Sequence, residues 1–534
     1  MKLFKPNHLL VKFTAIVFTL IVSYFFSQAY LIEQYAVDGG LVLSNKITYP
    51  DDFAPLKDYF FGAWTSIHQI AALLFKFEWS VLDVSKFFIF FIALFYFIGV
   101  ASIVLSFTKS IVIALLVSTA ILIFQKNFGD TDYPTLFFSS HTFGALSLAI
   151  STCIFGLLFL GNFFIVGFLS IFLISIHPVV GLWTCLIVFS SIGCSKIIFK
   201  EDPDIRNTIR GTIGGLIISS VSFFFYQKNY FSASYIDLET LNNYYKYWEG
   251  HRSSNEYHIE YFSKTLLLFI FGIFGLSKIK NSINEHVRLG ILSVLISIFF
   301  SSLIYLIFKI FHNFEGFPLW LIQIMPTRFT IMHSVVGWPL ILGILFVILK
   351  EFSKNRKQIN YLPQLTIIFL IILYTAQHYK VLLSTKNSYI RNINYQKVLS
   401  KNDDFWKVVK NRNIGGYVLT TPSSSSNTLR KGLKPILLNP GSIDGVPYFP
   451  KTAVRLSKIV EEIYGISFDD PPLELKNTAS ITEKFIKKNF EKYSKEKWKE
   501  ISNKFNISAI IVPVDWNIIL VPIAKNNTFA FYII

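Results

Sequence analysis

Ser175-Ile-His-Pro-Val-Val-Gly-Leu-Trp183 sets a histidine and a proline inside an apolar run that extends from about Asn162 to Ile198. The run is longer than the roughly 17 to 25 residues that cross a bilayer. Proline loses nothing at the first position of a helix, where the N–H it lacks would have no partner. The stretch therefore reads as a turn between two membrane spans, with Pro178 opening the second and His177 at the membrane surface.

Composition points the same way. The 534 residues are 52% hydrophobic and 16% charged, include 56 Phe, and have a mean hydropathy of +0.49. That is too apolar for a water-soluble core and too long for a single one, because cores stop growing near about 250 to 300 residues. An integral membrane protein is expected. Cys153, Cys185 and Cys194 all lie in apolar runs, so neither a disulfide framework nor a cysteine metal site is legible. Residues Met1 to Lys12 are basic and lead into an apolar run from Leu9 to Ile32, longer than a signal-peptide core and read as a retained first span.

About eleven candidate spans follow, centred on 10–32, 85–107, 109–126, 142–160, 162–176, 178–198, 211–228, 263–279, 288–311, 331–349 and 361–378. Residues 59–77 are apolar but carry His68 and Gln69, which predicts an interfacial helix lying on the membrane. With the N-terminus cytoplasmic, 15 lysines and arginines fall on short inner connections and 11 on outer connections more than twice as long. This is the positive-inside bias. It places everything after about Lys380 outside.

That tail, 380–534, has 24 Lys and Arg against 13 Asp and Glu, so +11 of the chain's +17 lies there. Strand-like runs (Gly416 to Thr420, Pro435 to Leu438, Ser508 to Val512, Asn517 to Val521, Thr528 to Ile534) alternate with charged helical stretches (Thr452 to Tyr464, Ile481 to Phe505) and with turn clusters at Thr421 to Asn427 and Asn439 to Ser442. A small extracytoplasmic α/β domain is expected. Its charge is either a solvated surface or an attraction to lipid phosphates or an anionic glycan. No nucleic-acid motif accompanies it.

Sorted by side, the polar residues of the helical part are lopsided. The segment 33–58, "EQYAVDGGLVLSNKITYPDDFAPLKD", supplies Glu33, Asp38, Asp51 and Asp52. Asp51 and Asp52 follow Tyr49-Pro50, and Asp38 precedes Gly39-Gly40, contexts in which aspartate also serves turns. Asp130 and Asp132 flank Thr131 ahead of Tyr133-Pro134, a pattern able to hold a divalent cation. His141 and His177 either cap helix ends or contact substrate. "MPTRFTIMHSVVGW" adds Arg328 and His333, and an arginine beside an apolar helix is costly unless it meets an anion, either a lipid headgroup or a substrate phosphate.

The layout, with "DYPTLFFSSHTFGAL" (Asp132 to Leu146), "SIHPVVGLW" (Ser175 to Trp183), the arginine of "MPTRF" (Met325 to Phe329) and the tail Ile507 to Ile534, resembles the GT-C superfamily of membrane glycosyltransferases. The resemblance implies transfer of a sugar from a polyprenyl-phosphate donor to an envelope glycan or lipid acceptor at the extracytoplasmic face of a bacterial inner membrane. Asp38, or else Asp51 or Asp52, stands where such enzymes place a catalytic base. Arg328, with His177, His141, Tyr133 and His333, would meet the substrate, and Trp516, Tyr448 and Arg430 of the tail an acceptor glycan. The chain departs from the pattern in having Gly39-Gly40, not a second acid, after Asp38. A polymerase or ligase of lipid-linked glycans and a non-catalytic scaffold stay open. Ion-coupled transport is disfavoured, because the spans are nearly free of ionisable residues.

Overall fold

The computed structural model describes residues 8–51, 54–128, 135–229, 236–249, 259–311, 332–354, 361–398 and 404–534. Helix α1 (His8–Ala29) is followed by three short helices, α2 (Ala36–Leu43), α3 (Pro55–Gly62) and α4 (Ser66–Lys76). Then come α5 (Val81–Thr108), α6 (Ile111–Ile123), α7 (Gln125–Phe128), α8 (Thr142–Phe159), α9 (Phe163–Ile176), α10 (Pro178–Ile198) and α11 (Ile205–Asn229). After α12 (Leu238–Tyr247) the bundle ends with α13 (Ile259–Ile279), α14 (Glu285–Phe311), α15 (Met332–Ser353), α16 (Leu362–Gln377) and α17 (Tyr379–Val398).

Among the described residues seven helices are long and apolar enough to cross a membrane, namely α1, α5, α8, α10, α11, α14 and α15. The pair α16 and α17, bent by 72°, makes an eighth if it is one span. Two further apolar helices, α6 and α9, are shorter. At 1.5 Å per residue the 13 residues of α6 reach about 20 Å, short of the roughly 30 Å hydrocarbon layer. Exposed Leu, Ile and Phe run along α1, α11 and α14, the apolar surface a bilayer covers. The protein is a polytopic helical membrane protein.

The turn at His177 forms as its sequence predicts. His177 is extended (φ −145°), ends α9, and accepts the Val180 N–H on Nδ1 at 3.4 Å as the N-cap of α10, with Pro178 in the first turn. Gly181 lets the two helices meet, since a Cβ there would lie 2.5 Å from the Ile174 Cα.

Residues 59–77 do not form one helix. The chain breaks after Gly62, and extended Thr65 caps α4 by accepting from Ile67 N–H. Thr65 also donates to the Ile176 carbonyl (2.8 Å), and Ser66 donates to Ser175 (2.9 Å), so the start of α4 is pinned to the His177 turn. Gly39 and Gly40 likewise make no turn. They lie inside α2 because α4 packs directly on them: a Cβ on Gly40 would sit 2.5 Å from the Ala71 Cβ, and one on Gly39 2.3 Å from the His68 ring. Gly40→Val is therefore expected to destabilise by about 1–3 kcal/mol through overpacking. Gly193→Ala, whose added Cβ meets nothing within 4 Å, is expected to leave the melting temperature unchanged or raise it in the same detergent series.

The tail is an α/β domain: α18 (Asp404–Asn411), β1 (Tyr417–Thr420), α19 (Pro422–Arg430), α20 (Ala453–Glu462), α21 (Glu483–Phe490), α22 (Lys495–Phe505), β2 (Ile507–Pro513), β3 (Pro522–Lys525) and β4 (Phe529–Ile533). The sheet order is β1-β2-β4-β3, with β1 parallel to β2 and the other pairs antiparallel. Several expectations shift. Residues 435–438 contribute one bridge, Val418 to Ile436, and no strand, the third strand is 522–525 and not 517–521, and 481–505 splits into α21 and α22. The serine-rich stretch Thr421 to Asn427 is helical, not a turn. Pro422 opens α19, and Thr421 and Ser424 form a reciprocal capping box, which satisfies the N–H groups that a serine run otherwise bonds locally.

The tail packs on the segments that follow α1 and α11. Gly445 lies against Tyr59, Phe449 against Gly62, and Trp248 Nε1 donates to the Phe468 carbonyl at 2.9 Å. Backbone N–H groups of Asn477 and Ala479 donate to the carbonyls of Tyr247 and Trp248.

Candidate functional site

The seam between the helical part and the tail concentrates charge at one point. The segment after α1 is clamped first. Gln34 N–H donates to Ser85 Oγ (3.1 Å), Gln34 Nε2 to the Ser139 carbonyl (2.8 Å), and Thr142 Oγ1 to Gln34 Oε1 (3.1 Å). Tyr35 N–H donates to the Ser140 carbonyl. Helix α5, the turn at Ser139–Ser140 and helix α8 thus fix Gln34 and Tyr35 before any charge is counted.

Arg430, the last residue of α19, enters this clamp from the tail. Its Nε donates to Asp38 Oδ1 (2.7 Å) and its Nη2 to Asp38 Oδ2 (3.0 Å), a bidentate pair. Its Nη1 donates to Glu33 Oε2 (3.0 Å), and Nη2 also reaches the Gln34 carbonyl (3.4 Å). The side chain of Arg430 is 5% exposed, that of Asp38 13% and that of Glu33 32%, so the cluster runs from buried to open along the guanidinium. Burial pushes the Asp38 carboxyl above its ordinary range, with Arg430 pulling it back and Glu33 adding to the rise. Burial works against the charge of Arg430, but the two carboxylates outweigh it and raise its pKa. Two acids on one cation leave a net negative charge.

Chemically, this arrangement divides the acids. Both oxygens of Asp38 accept from Arg430, which holds the carboxylate's geometry. Glu33 accepts through Oε2 only, among the described residues, and is the more open of the two. The sequence named Asp38 as the base; the structure gives that carboxylate a partner on each oxygen and brings Glu33, from the same segment, beside it.

The other candidates are dispersed. Asp51 is exposed and takes no part in the cluster. His141 is exposed, begins α8 and meets Tyr35 edge-on at 5.3 Å, which puts it next to the clamp. His177 is buried in its cap, at the turn to which the start of α4 is pinned. His333 lies in the first turn of α15, its side chain outside the described atoms. Asp52, Asp130, Asp132, Tyr133 and Arg328 lie outside the described residues. Among the described residues no group of three His, Cys, Asp or Glu is placed to hold a metal ion. In the tail, Trp516 is buried edge-on to Phe490, while Tyr448 is exposed against Tyr59. His68 is fully buried with no partner for either nitrogen among the described residues, and burial pushes it down to about 3. It is a neutral packing ring.

A third acid sits on the seam. Asp58 of α3 has a buried Oδ2 without a hydrogen bond among the described residues, and burial raises its carboxyl to about 7, against the pull of Lys57 and Arg455. An acid whose folded pKa lies above its unfolded value stabilises the fold fully below the unfolded pKa, near about 4, and loses that contribution as pH rises through about 7. Asp58→Asn is expected to gain stability over the wild type as pH goes from 5 to 8, by an amount on the order of 1–3 kcal/mol after allowance for partial exposure. Parallel melting curves at the two pH values would contradict this.

A groove of about 570 Å³ opens between the ends of α1 and α5, walled by Tyr24, Gln28, Trp79, Lys86, Phe87 and Phe91 among others, and Glu33, Asp38 and Arg430 are not among its lining residues. Its acids are paired, Glu78 with Lys46 (2.8 Å) and Asp83 with Lys86 (3.2 Å). No family description, curated protein or solved structure matches the chain.

Proposed function

We propose that the protein is a membrane glycosyltransferase of the GT-C kind, with a cytoplasmic N-terminus and the tail domain on the extracytoplasmic face of a bacterial inner membrane. The donor is a sugar on a polyprenyl phosphate and the acceptor an envelope glycan or lipid. The observation that carries this reading is the cluster of Glu33, Asp38 and Arg430. It joins the acidic segment after the first span to the tail domain through a buried cation shared by two carboxylates.

In the proposed step an acceptor hydroxyl attacks the anomeric carbon, the bond from that carbon to the donor phosphate oxygen breaks, and the polyprenyl phosphate leaves with the bonding pair. The hydroxyl proton passes to Glu33, the open carboxylate. Asp38 fixes Arg430, and Arg430 orients Glu33. Attack opposite the leaving group inverts the anomeric centre. Arg328 remains the proposed partner of the departing phosphate.

The test is transfer by the purified full-length protein in liposomes, from polyprenyl-phosphate sugars to isolated cell-envelope glycans or lipids, read by mass spectrometry. Transfer that is lost in Glu33→Gln supports the reading. Turnover unaffected by Glu33→Gln and Asp38→Asn removes the site, and no turnover with any donor favours the scaffold. Products extended by many units would favour the polymerase.

A further inference from the structure

Helix α17 leaves the line of α16 at 72°, and its sequence is basic and free of acids. Its sequence, YKVLLSTKNSYIRNINYQKV, has four Lys and Arg and no Asp or Glu. One face is bound to the end of α1. Thr385 bonds Tyr30 Oη (3.0 Å), Asn392 Nδ2 donates to the carbonyls of Gln28 and Ala29 (3.0 Å each), and Tyr389 stacks on Phe25 at 4.7 Å.

The opposite face carries two parallel stripes. Tyr379, Leu383 and Ile390 are exposed and apolar. Beside them Lys380, Ser384, Asn387 and Arg391, spaced as one side of a helix, line a cavity of about 370 Å³ together with Leu383 and Ser388. No described acid lines it, and neither Lys380 nor Arg391 has an ion-pair partner among the described residues.

We propose that this cavity is a binding site for the phosphate headgroup of an anionic phospholipid, whose acyl chains lie against the stripe of Tyr379, Leu383 and Ile390. Charge complementarity selects the ligand. Two cations and three small polar side chains present donors to a phosphate, and the lipid is the phosphate that also covers the neighbouring apolar stripe. A basic helix lying across the end of α1, directly continuous with an apolar helix, is held where headgroups are. Bound lipid would thereby brace the α1 end, from which the chain runs into the clamp of Gln34 and Tyr35. The site stands on its own geometry and does not depend on the glycosyltransferase reading.

The experiment titrates the purified full-length protein in neutral detergent with dansyl-phosphatidylglycerol and with dansyl-phosphatidylcholine, reading energy transfer from tryptophan. The wild type is expected to bind the anionic lipid more tightly. Lys380→Gln with Arg391→Gln is expected to cut that preference by roughly fivefold per removed cation. Lys386→Gln, on the same helix outside the cavity, is expected to retain it, and 1 M salt to abolish it. Equal binding of the two lipids by the wild type, a preference kept by the double variant, or displacement of the anionic lipid by an equal concentration of inorganic phosphate would each overturn the proposal. Both substituted side chains are exposed, so an unchanged melting temperature is expected to accompany the loss.

Discussion

Arg430→Ala is expected to destabilise the docked tail by about 3–5 kcal/mol, the cost of stripping a buried charge of its partner. Three features set that magnitude. Asp38 is nearly buried and takes two bonds from one guanidinium. Glu33 stands close enough to add its charge to the same cation, so removing Arg430 leaves two carboxylates facing each other. The Gln34 carbonyl also loses a donor. The substitution removes packing as well as charge, and Arg430→Met separates the two. Methionine restores volume and leaves the acids unpaired, so it is expected to be nearly as damaging as alanine, whereas Arg430→Met with Asp38→Leu is expected to recover most of the loss. Hydrogen exchange in α2 and α19 reads the effect directly, because both elements lose protection when the seam opens. A single variant that leaves α2 protected at wild-type levels would show that the contact holds nothing.

Glu33→Gln is the second large effect and has the opposite signature. Transfer from a polyprenyl-phosphate sugar is expected to fall by about 10²–10⁴-fold, the usual contribution of a positioned proton acceptor, with a stability change within about 1 kcal/mol because the side chain is a third exposed and an amide oxygen can still accept from Arg430. Asp38→Asn should fail on both counts, since it weakens the bidentate pair that orients the site. Activity loss without loosening in one variant, and with loosening in the other, separates the acid that reacts from the acid that anchors. If Asp38→Asn lowers turnover while α2 stays protected and Glu33→Gln does not lower it, the proton acceptor is Asp38.

Much of this architecture is legible in the residues. Long apolar runs fix most of the helices, and Pro178 after His177 marks the turn between α9 and α10 because proline is tolerated there and almost nowhere else in a span. The tail reads as α/β from its alternation of apolar runs and charged stretches. The misreadings at the two glycines and at the serine run have different causes, one in packing and one in capping. Gly39-Gly40 has the composition of a turn, yet the glycines are needed where α4 presses His68 and Ala71 onto α2. Thr421 to Asn427 has the composition of a loop, yet its serines cap and stabilise α19. These two errors conceal the site, because α2 carries Asp38 and α19 ends at Arg430. The pairing of residues almost 400 positions apart leaves no local trace, and only the basic end of a capped helix, Asn427-Thr-Leu-Arg430, hints that a cation is being presented.

The claim that one buried ion cluster joins the first extramembrane segment to the tail is tested most directly by a double-mutant cycle on Arg430→Ala and Asp38→Ala. The free energy of opening is read from hydrogen exchange of α2 amides in the full-length protein. A coupling energy of about 2 kcal/mol or more is predicted, since the two side chains share two hydrogen bonds out of water. Additivity within about 0.5 kcal/mol would contradict the account, because it would mean that Arg430 and Asp38 do not meet.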